Sequence, residues 1–146
     1  MSCSPTSLVL NQTKIVSFYF DTKISKMNID EAKDSIPTKE LVQTKVLYAY
    51  GILMEKGDRL IDENYYEGLF YYKKANKLFL EAKESIITIL LSQYPDFLQW
   101  MENDLDIDLG KKDIPDLYWL AASMAGSIQS SRGANPHELI NIPVIG

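Results

Sequence analysis

Cysteine and histidine are almost missing from this chain of 146 residues, which contains one of each, Cys3 and His137. One cysteine cannot form an internal disulfide, and two potential ligands are too few for a Cys/His zinc cluster. Asn141 stands four residues after His137, where a helical zinc-protease motif needs a second histidine. The seven glycines form no Walker-type or dinucleotide-type phosphate loop. We therefore predict a protein that is not an enzyme and that uses no metal or cofactor, with a structural or solvated His137.

Positive charge and long apolar runs are also scarce. Fifteen lysines and arginines stand against twenty acids, which gives a net charge of −5 and a pI near 4.9. Such a chain has no net field that attracts phosphate backbones or anionic lipids, so we expect no nucleic-acid partner. No apolar run reaches the ~18 to 20 residues that a membrane-spanning helix requires. With 46% hydrophobic residues, the chain is predicted to form one globular domain whose partners are proteins or small molecules.

The first fourteen residues show no hydrophobic periodicity and are predicted to form a tether, 1–14, followed by a single helical domain, 15–146. A small residue directly before Cys3, and a polar stretch with proline, serine and threonine after it, match the region around a bacterial lipoprotein cleavage site. The charged and apolar parts of a signal peptide do not precede it. Cys3 is therefore a candidate for lipidation, and the alternative is an ordinary free thiol.

Apolar residues recur at helical spacing along most of the remaining chain. Pro37 and Thr38 predict the start of a helix that ends at Gly57. The strongest signal runs from Gly68 to Ile89, where small or apolar residues follow one another in steps of four and three. This spacing predicts a long helix with one buried seam, and a short helix is expected at 97–101. Residues 15–29 fit either a strand or a helix, and we favour a helix because the segments that follow are helical.

A helix from about Ile114 to Ser131 has bulky residues in its first half and small ones in its second half. Asp113 is expected to cap its start, with a second acid three positions later. Gly126 in its middle costs up to about 1 kcal/mol relative to alanine, which predicts that a neighbour approaches closely or that a cavity lies there. The chain as a whole is predicted to be all-α and built from antiparallel helical hairpins.

An acidic loop and a group of tyrosines remain as candidates for chemistry. Acids at alternate positions from Asp104 resemble the start of an EF-hand loop, but Leu109 replaces the required glycine and Pro115 the bidentate glutamate, so no calcium site is expected. Most of the aromatic residues should be core. A buried tyrosine needs a partner for its hydroxyl or faces a cavity, so Tyr48 and Tyr72 are candidate ligand or partner residues. Because no titratable cluster accompanies them, we favour binding over catalysis.

Several segments resemble known families. Gly68, Tyr72 and Ala75 fit the second helix of a tetratricopeptide-like repeat, although the helix here continues beyond the usual end of that repeat. The segment 113–123, DIPDLYWLAAS, resembles the T component of tripartite TRAP-type transporters. Residues 48–51 (YAYG) and the Tyr-Pro at 94–95 fit the same family in order and spacing. The similarity runs from about Ile36 to Ile145.

This resemblance implies a periplasmic, lipid-anchored protein with a tetratricopeptide-like superhelical array. It implies association with the periplasmic solute-binding protein of a TRAP transporter, and binding or passage of a small apolar or carboxylate ligand. It makes Tyr118, Trp119 and Ser123 candidates for the lining of a cavity or for core packing, and it strengthens the case for a lipidated Cys3. The family usually continues through further helices, so a shortened or partial member is expected.

The alternative interpretation is a generic tetratricopeptide-like scaffold that binds a peptide or assembles a complex. In that case Cys3 is a free thiol and the protein is cytoplasmic. The sequence does not define the transported solute, and it leaves homo-oligomerisation open.

Overall fold

A computed structural model of the chain describes residues 5–34, 37–103 and 105–132. The described residues contain α1 (Pro5–Asp34), α2 (Lys39–Tyr48), α3 (Glu55–Leu60), α4 (Tyr65–Gln93), α5 (Phe97–Met101) and α6 (Ile114–Ser131). A π-helical segment, Ala49–Met54, joins α2 to α3, and a 3-10 turn, Lys111–Asp113, precedes α6. No strand occurs among these residues, so the predicted all-α fold is confirmed.

Contacts between the long helices define an antiparallel arrangement. Lys45 on α2 pairs with Glu81 at 3.1 Å, while Tyr48, further along α2, accepts a hydrogen bond from Lys74, nearer the start of α4. Helices α4 and α6 also run in opposite directions. Asn76, in the first half of α4, donates to the carbonyl oxygen of Ser127 near the end of α6 at 2.9 Å. Tyr94, just after α4, contacts Asp113, just before α6. The predicted helical hairpins are therefore present.

Helices α2 and α6 run parallel to each other. Near their beginnings Lys39 lies 2.9 Å from the buried carboxylate of Asp116, and further along Tyr50 donates to the carbonyl oxygen of Ala122 at 3.2 Å. Two parallel helices that both pack antiparallel to α4 follow the order of helical-repeat proteins. The superhelical array itself stays a prediction.

The predicted seam of α4 forms the centre of the core. Its members are all buried, and they face α2 on one side and α6 on the other. Steps of four and three keep these positions on one face of an α-helix for about six turns. The seam consists of Gly68, Tyr72, Ala75, Phe79, Ala82, Ile86 and Ile89.

The helix that begins after Thr38 continues past its predicted end at Gly57. Thr38 caps it as expected, since its hydroxyl oxygen accepts from the Leu41 N–H at 3.2 Å. Inward-facing residues then follow in steps of four, at 49, 53, 57 and 61. An α-helix of 3.6 residues per turn rotates such positions by about 40° per step, and a wider π-helical turn compensates for that rotation. Gly57 is required for packing, because a Cβ there would lie 2.7 Å from the Tyr72 ring.

Helix α1 begins at Pro5, inside the segment predicted to be a tether, and the helical interpretation of residues 15–29 is confirmed. It packs antiparallel on α2: Phe20 stacks on the Tyr48 ring with centroids 5.0 Å apart, and Lys23 lies 3.3 Å from Glu40. Ile24, which also belongs to α1, is buried. The division of the chain at residue 15 stays a prediction.

The start and end of α6 match the sequence prediction, but Asp113 does not cap the helix through its side chain. Its carboxylate accepts instead from the Gly110 N–H at 2.8 Å and from the Tyr94 hydroxyl at 2.6 Å. It therefore joins α6 to the end of α4. At the other end, Arg132 adopts a left-handed conformation with φ of 55° and ends the helix.

Among the described residues, no helix combines the length and the apolar character needed to cross a membrane.

Candidate functional site

The strongest candidate site is an open surface between the parallel helices α2 and α6, here called the α2–α6 face. Leu47 and Tyr118 are 56% and 62% exposed on it, and Ile114 is 60% exposed one turn before Tyr118. The remaining members, Tyr50 and Ala122, are half-buried where the two helices touch. All five side chains are apolar or aromatic, and the Lys39–Asp116 ion pair lies between the same two helices, near their beginnings.

Tyr50 holds the two sides of this face together. Its ring packs edge-on against Phe79 with centroids 4.6 Å apart, and its hydroxyl donates to the carbonyl oxygen of Ala122 at 3.2 Å. Burial raises the pKa of Tyr50 above its usual value, and the nearby Tyr118 phenol acts in the same direction. The hydroxyl therefore remains protonated and remains a donor at physiological pH.

Small residues on α6 allow this close approach. A Cβ on Gly126 would lie 2.4 to 2.6 Å from the Phe79 ring, so the close neighbour predicted for this glycine is confirmed. Ala122, one turn earlier, leaves room for the Tyr50 hydroxyl to reach a helix carbonyl. The local sequence thus sets the aromatic ring of Tyr50 and the open side chain of Tyr118 on the same surface.

Tyr48 lies away from the α2–α6 face, fully buried between α1, α2 and α4. Its hydroxyl accepts from the Lys74 ammonium at 3.3 Å, and Lys74 also donates to both carboxylate oxygens of Asp21 at 3.0 and 3.2 Å. Burial raises the pKa of Tyr48 and Lys74 opposes that shift. Burial lowers the pKa of the Lys74 ammonium, whereas the hydrogen bonds that Lys74 makes to Asp21 and Tyr48 raise it. Together these hydrogen bonds have the larger effect, so the pKa of Lys74 lies above its usual value. These contacts join α1 to the rest of the domain.

Tyr72 is buried at a third place, where the ends of α3 and α6 meet α4. Its hydroxyl donates to the Asp58 carboxylate, and the guanidinium of Arg132 lies 4.9 Å from the ring centroid. Burial and the Asp58 carboxylate both raise the pKa of the Tyr72 phenol. The left-handed conformation of Arg132 is thus accompanied by a cation–π contact.

Trp119 and Ser123 lie on the inner side of α6. Trp119 is half-buried against the core, and its ring meets Tyr118 edge-on at 5.1 Å. Ser123 is fully buried and donates to the carbonyl oxygen of Leu120 at 2.8 Å, within its own helix. Its hydroxyl is therefore already satisfied as a donor.

The five tyrosine, tryptophan and serine candidates are not brought into one site. Tyr118 is the one with a largely exposed side chain, and Tyr48, Tyr72 and Ser123 are buried in separate parts of the core. Their roles in ligand or partner binding stay predictions. Cys3 and His137 lie outside the described residues.

Tyr50 is the residue that the sequence interpretation missed as part of the site. The sequence predicts most of the aromatic residues, Tyr50 among them, to be core. The signal that could have identified it is the step-of-four spacing from Ala49, which predicts a local departure from α-helical geometry. Such segments are frequent at functional sites.

Within the described residues, no group of three or more histidine, cysteine, aspartate or glutamate side chains could hold a metal ion. The five residues of the α2–α6 face offer hydrophobic contact, aromatic packing and hydrogen bonding by a phenol, and the Lys39 ammonium lies beside them, paired with Asp116.

A family model matches most of the chain. The model of the TRAP transporter T-component covers residues 38–143. The chain belongs to this family. This T component therefore has an accessory role in TRAP transport, and the α2–α6 face lies within the matched segment. The match begins at Thr38, the residue that caps α2, so α1 lies outside it. No curated protein and no solved structure matches the chain.

Proposed function

We propose that this T component is a lipid-anchored periplasmic protein that docks the solute-binding protein of its TRAP transporter on the α2–α6 face. The observation that carries the proposal is Tyr118, which is 62% exposed beside the half-buried Tyr50. Aromatic side chains are enriched at the centres of protein interfaces, where a few of them supply most of the binding energy.

The chemistry of the face supports a partner or ligand with an apolar body and a hydrogen-bond acceptor. The Tyr50 hydroxyl already donates to Ala122, whereas Tyr118 presents its phenol to solvent. A carbonyl or carboxylate oxygen of the partner, or of a small apolar ligand passed between the two proteins, would accept from Tyr118. Leu47 and Ile114 would contact the apolar part.

Lipidation of Cys3 would hold the domain at the membrane. Cys3 stands two residues before the start of α1, and α1 is attached to the domain through Phe20 and through the Asp21–Lys74 pair. An anchor at this position would therefore be connected to the folded body by a helix.

The experiment is isothermal titration calorimetry, in which the protein is titrated with the purified solute-binding protein of the same transporter. Tyr118→Ala is expected to weaken binding at least about tenfold, the effect of losing an interface residue worth about 1.4 kcal/mol or more. Because Tyr118 is exposed, the melting temperature should stay close to that of the wild type.

Tyr19→Ala is the matched control, since Tyr19 is 57% exposed on α1, outside the α2–α6 face. It is expected to bind like the wild type. Failure of the wild-type protein to bind, or equal binding by Tyr118→Ala and the wild type, would contradict the proposal.

A further inference from the structure

A second exposed surface lies where α1 and α4 run side by side, here called the α1–α4 surface. Both helices pack antiparallel to α2, so they point in the same direction. Asp21 on α1 pairs with Lys74 on α4 at 3.0 Å, which fixes the height of one helix against the other. About one turn before each of these residues stands a phenylalanine, Phe18 on α1 and Phe70 on α4. The two phenylalanines therefore lie at the same level on neighbouring helices.

Large apolar and aromatic side chains are exposed at this level on both helices. Phe18 is 74% exposed and Phe70 60%. About one turn earlier, Ile15 is 70% exposed on α1 and Tyr66 82% on α4. The buried Ile24 follows Ile15 by two and a half turns, so Ile15 lies on the outer side of α1. The domain does not cover this patch of four side chains, and such patches mark interaction surfaces.

The charges beside the patch favour an anionic partner. Lys14 on α1 and Lys73 on α4 flank it, both exposed and neither in an ion pair with the described residues. Of the nearby acids, Asp21 is paired with Lys74, and Glu67 accepts a hydrogen bond from the side chain of its N-cap residue at 3.1 Å. Aromatic and apolar side chains flanked by lysines are typical of proteins that bind the surface of an anionic bilayer.

We propose that the α1–α4 surface contacts the membrane, with its aromatic rings in the headgroup region of a bilayer that contains anionic lipid. This contact depends on the proposed function in one respect, since the anchor at Cys3 would bring the surface to the bilayer. Phe18 follows Pro5, the first residue of α1, by 13 residues, which is about 20 Å along a helix. The patch is therefore close to the anchored end of the chain.

Membrane contact on this side would orient the domain. Tyr48 stacks against α1, whereas Tyr50, two residues later, bonds to α6. Two residues of a helix are about 200° apart, so α1 and α6 lie on nearly opposite sides of α2. With the α1–α4 surface on the bilayer, the α2–α6 face is directed away from the membrane and is accessible to the solute-binding protein.

The attraction to lipid is local and weak. The chain has a net charge of −5, so its exposed lysines attract anionic lipid only within the Debye length, about 8 to 10 Å. We expect an affinity no higher than that of a single acyl chain, for which half of the protein is bound at about 0.1 mM lipid. The contact therefore orients a domain that the anchor already holds.

Cosedimentation with vesicles of phosphatidylethanolamine and phosphatidylglycerol tests the proposal. The full chain with Cys3→Ser is used as the parent, because it cannot be lipidated and any binding must come from the folded surface. The parent is expected to reach half binding between about 0.1 and 5 mM lipid. Phe18→Glu and Phe70→Glu should each weaken binding at least about tenfold, since each removes an aromatic ring from the bilayer and adds a negative charge.

Leu98→Glu is the matched control, because Leu98 is 46% exposed on α5, after the far end of α4. It should bind vesicles like the parent, and circular dichroism checks that each variant is folded. Lys14→Gln combined with Lys73→Gln should weaken binding at least about tenfold, since each lysine near an anionic membrane contributes about fivefold. Phosphatidylcholine in place of phosphatidylglycerol should weaken binding of the parent to a similar extent.

Calorimetry with the solute-binding protein distinguishes this surface from the α2–α6 face. Phe18→Glu should lose vesicle binding and keep the wild-type affinity for the solute-binding protein. Vesicle binding by the parent supports the α1–α4 surface even where Cys3 of the native protein proves unlipidated. A parent that stays in the supernatant at about 5 mM lipid, a Phe18→Glu variant that binds vesicles like the parent, or loss of the solute-binding protein by Phe18→Glu would overturn the membrane contact.

Discussion

Replacing Gly126 with alanine is expected to destabilise the protein, although alanine is the better helix former. A methyl group at this position would lie 2.4, 2.5 and 2.6 Å from three carbon atoms of the Phe79 ring. Carbon atoms in contact normally lie ~3.5–4.0 Å apart, so the ring would have to move by about 1 Å. Phe79 is fully buried and also packs against the Tyr50 ring, which leaves little space for that movement.

Two effects of opposite sign decide the magnitude. Alanine in a helix interior is favoured over glycine by ~0.8–1.0 kcal/mol. Forcing an extra methyl group into a well-packed core costs ~1–3 kcal/mol, and a contact this short belongs at the upper end. The net loss should be about 1–2 kcal/mol, which corresponds to a decrease in melting temperature of roughly 2–8 °C for a chain of this length.

Thermal and urea unfolding followed by circular dichroism measure this change. Gly51→Ala is the matched control, because a Cβ at Gly51 would have no atom within 4 Å. Its stability should equal that of the wild type or exceed it by up to ~1 kcal/mol. Gly126→Ala combined with Phe79→Leu should cost less than the sum of the two single changes, since the smaller side chain relieves the contact. A Gly126→Ala variant that melts at or above the wild-type temperature would refute this reasoning.

Three further predictions concern the contact between α4 and α6 and the N-terminus. Hydrogen bonds from the Gly110 N–H and from Tyr94 hold the pKa of Asp113 below its ordinary value of 3.8. The ionised carboxylate therefore stabilises the fold above pH 3.8, and this stabilisation is lost as the pH falls through the lowered pKa. Asp113→Asn should lower the melting temperature more at pH 7 than at pH 3. The hydrogen bond from the Tyr94 hydroxyl to Asp113 raises the pKa of Tyr94 from 10.0 to about 12. The protonated phenol therefore stabilises the fold fully below pH 10, and this stabilisation is lost as the pH rises through about 12. Tyr94→Phe should lower the melting temperature at pH 8 and have less effect as the pH approaches about 12. Cys3→Ser should move the protein from the detergent phase to the aqueous phase of a phase-partition assay, whereas an unlipidated Cys3 would leave the distribution unchanged.

Features that depend on spacing along one helix could be predicted from the sequence. The steps of four and three from Gly68 identified the buried side of α4, and the run of small residues around Gly126 indicated a close neighbour. The start of α2 at its Thr38 cap and the limits of α6 were confirmed as well. In each case the signal is local, because the helix itself determines which residues share a side.

Features that depend on contacts between distant segments could not be predicted. Asp113 has the sequence position of a helix cap, but the Tyr94 hydroxyl and the Gly110 N–H compete for its carboxylate once α4 and α6 meet. Residues 5–14 lack periodicity, yet they belong to α1, whose later turns pack on α2. The α2–α6 face likewise exists because the π-helical segment brings Tyr50 against Ala122, and neither residue alone indicates that contact.

Affinity purification of the intact, tagged protein from detergent-solubilised native membranes, with mass spectrometry and with Tyr118→Ala in parallel, tests the transport role most directly. The proposed function predicts that the periplasmic solute-binding protein of the TRAP transporter is enriched with the wild type and lost with Tyr118→Ala, while Tyr19→Ala retains it. Recovery of cytoplasmic partners without a solute-binding protein, or equal enrichment by Tyr118→Ala and the wild type, would contradict docking on the α2–α6 face.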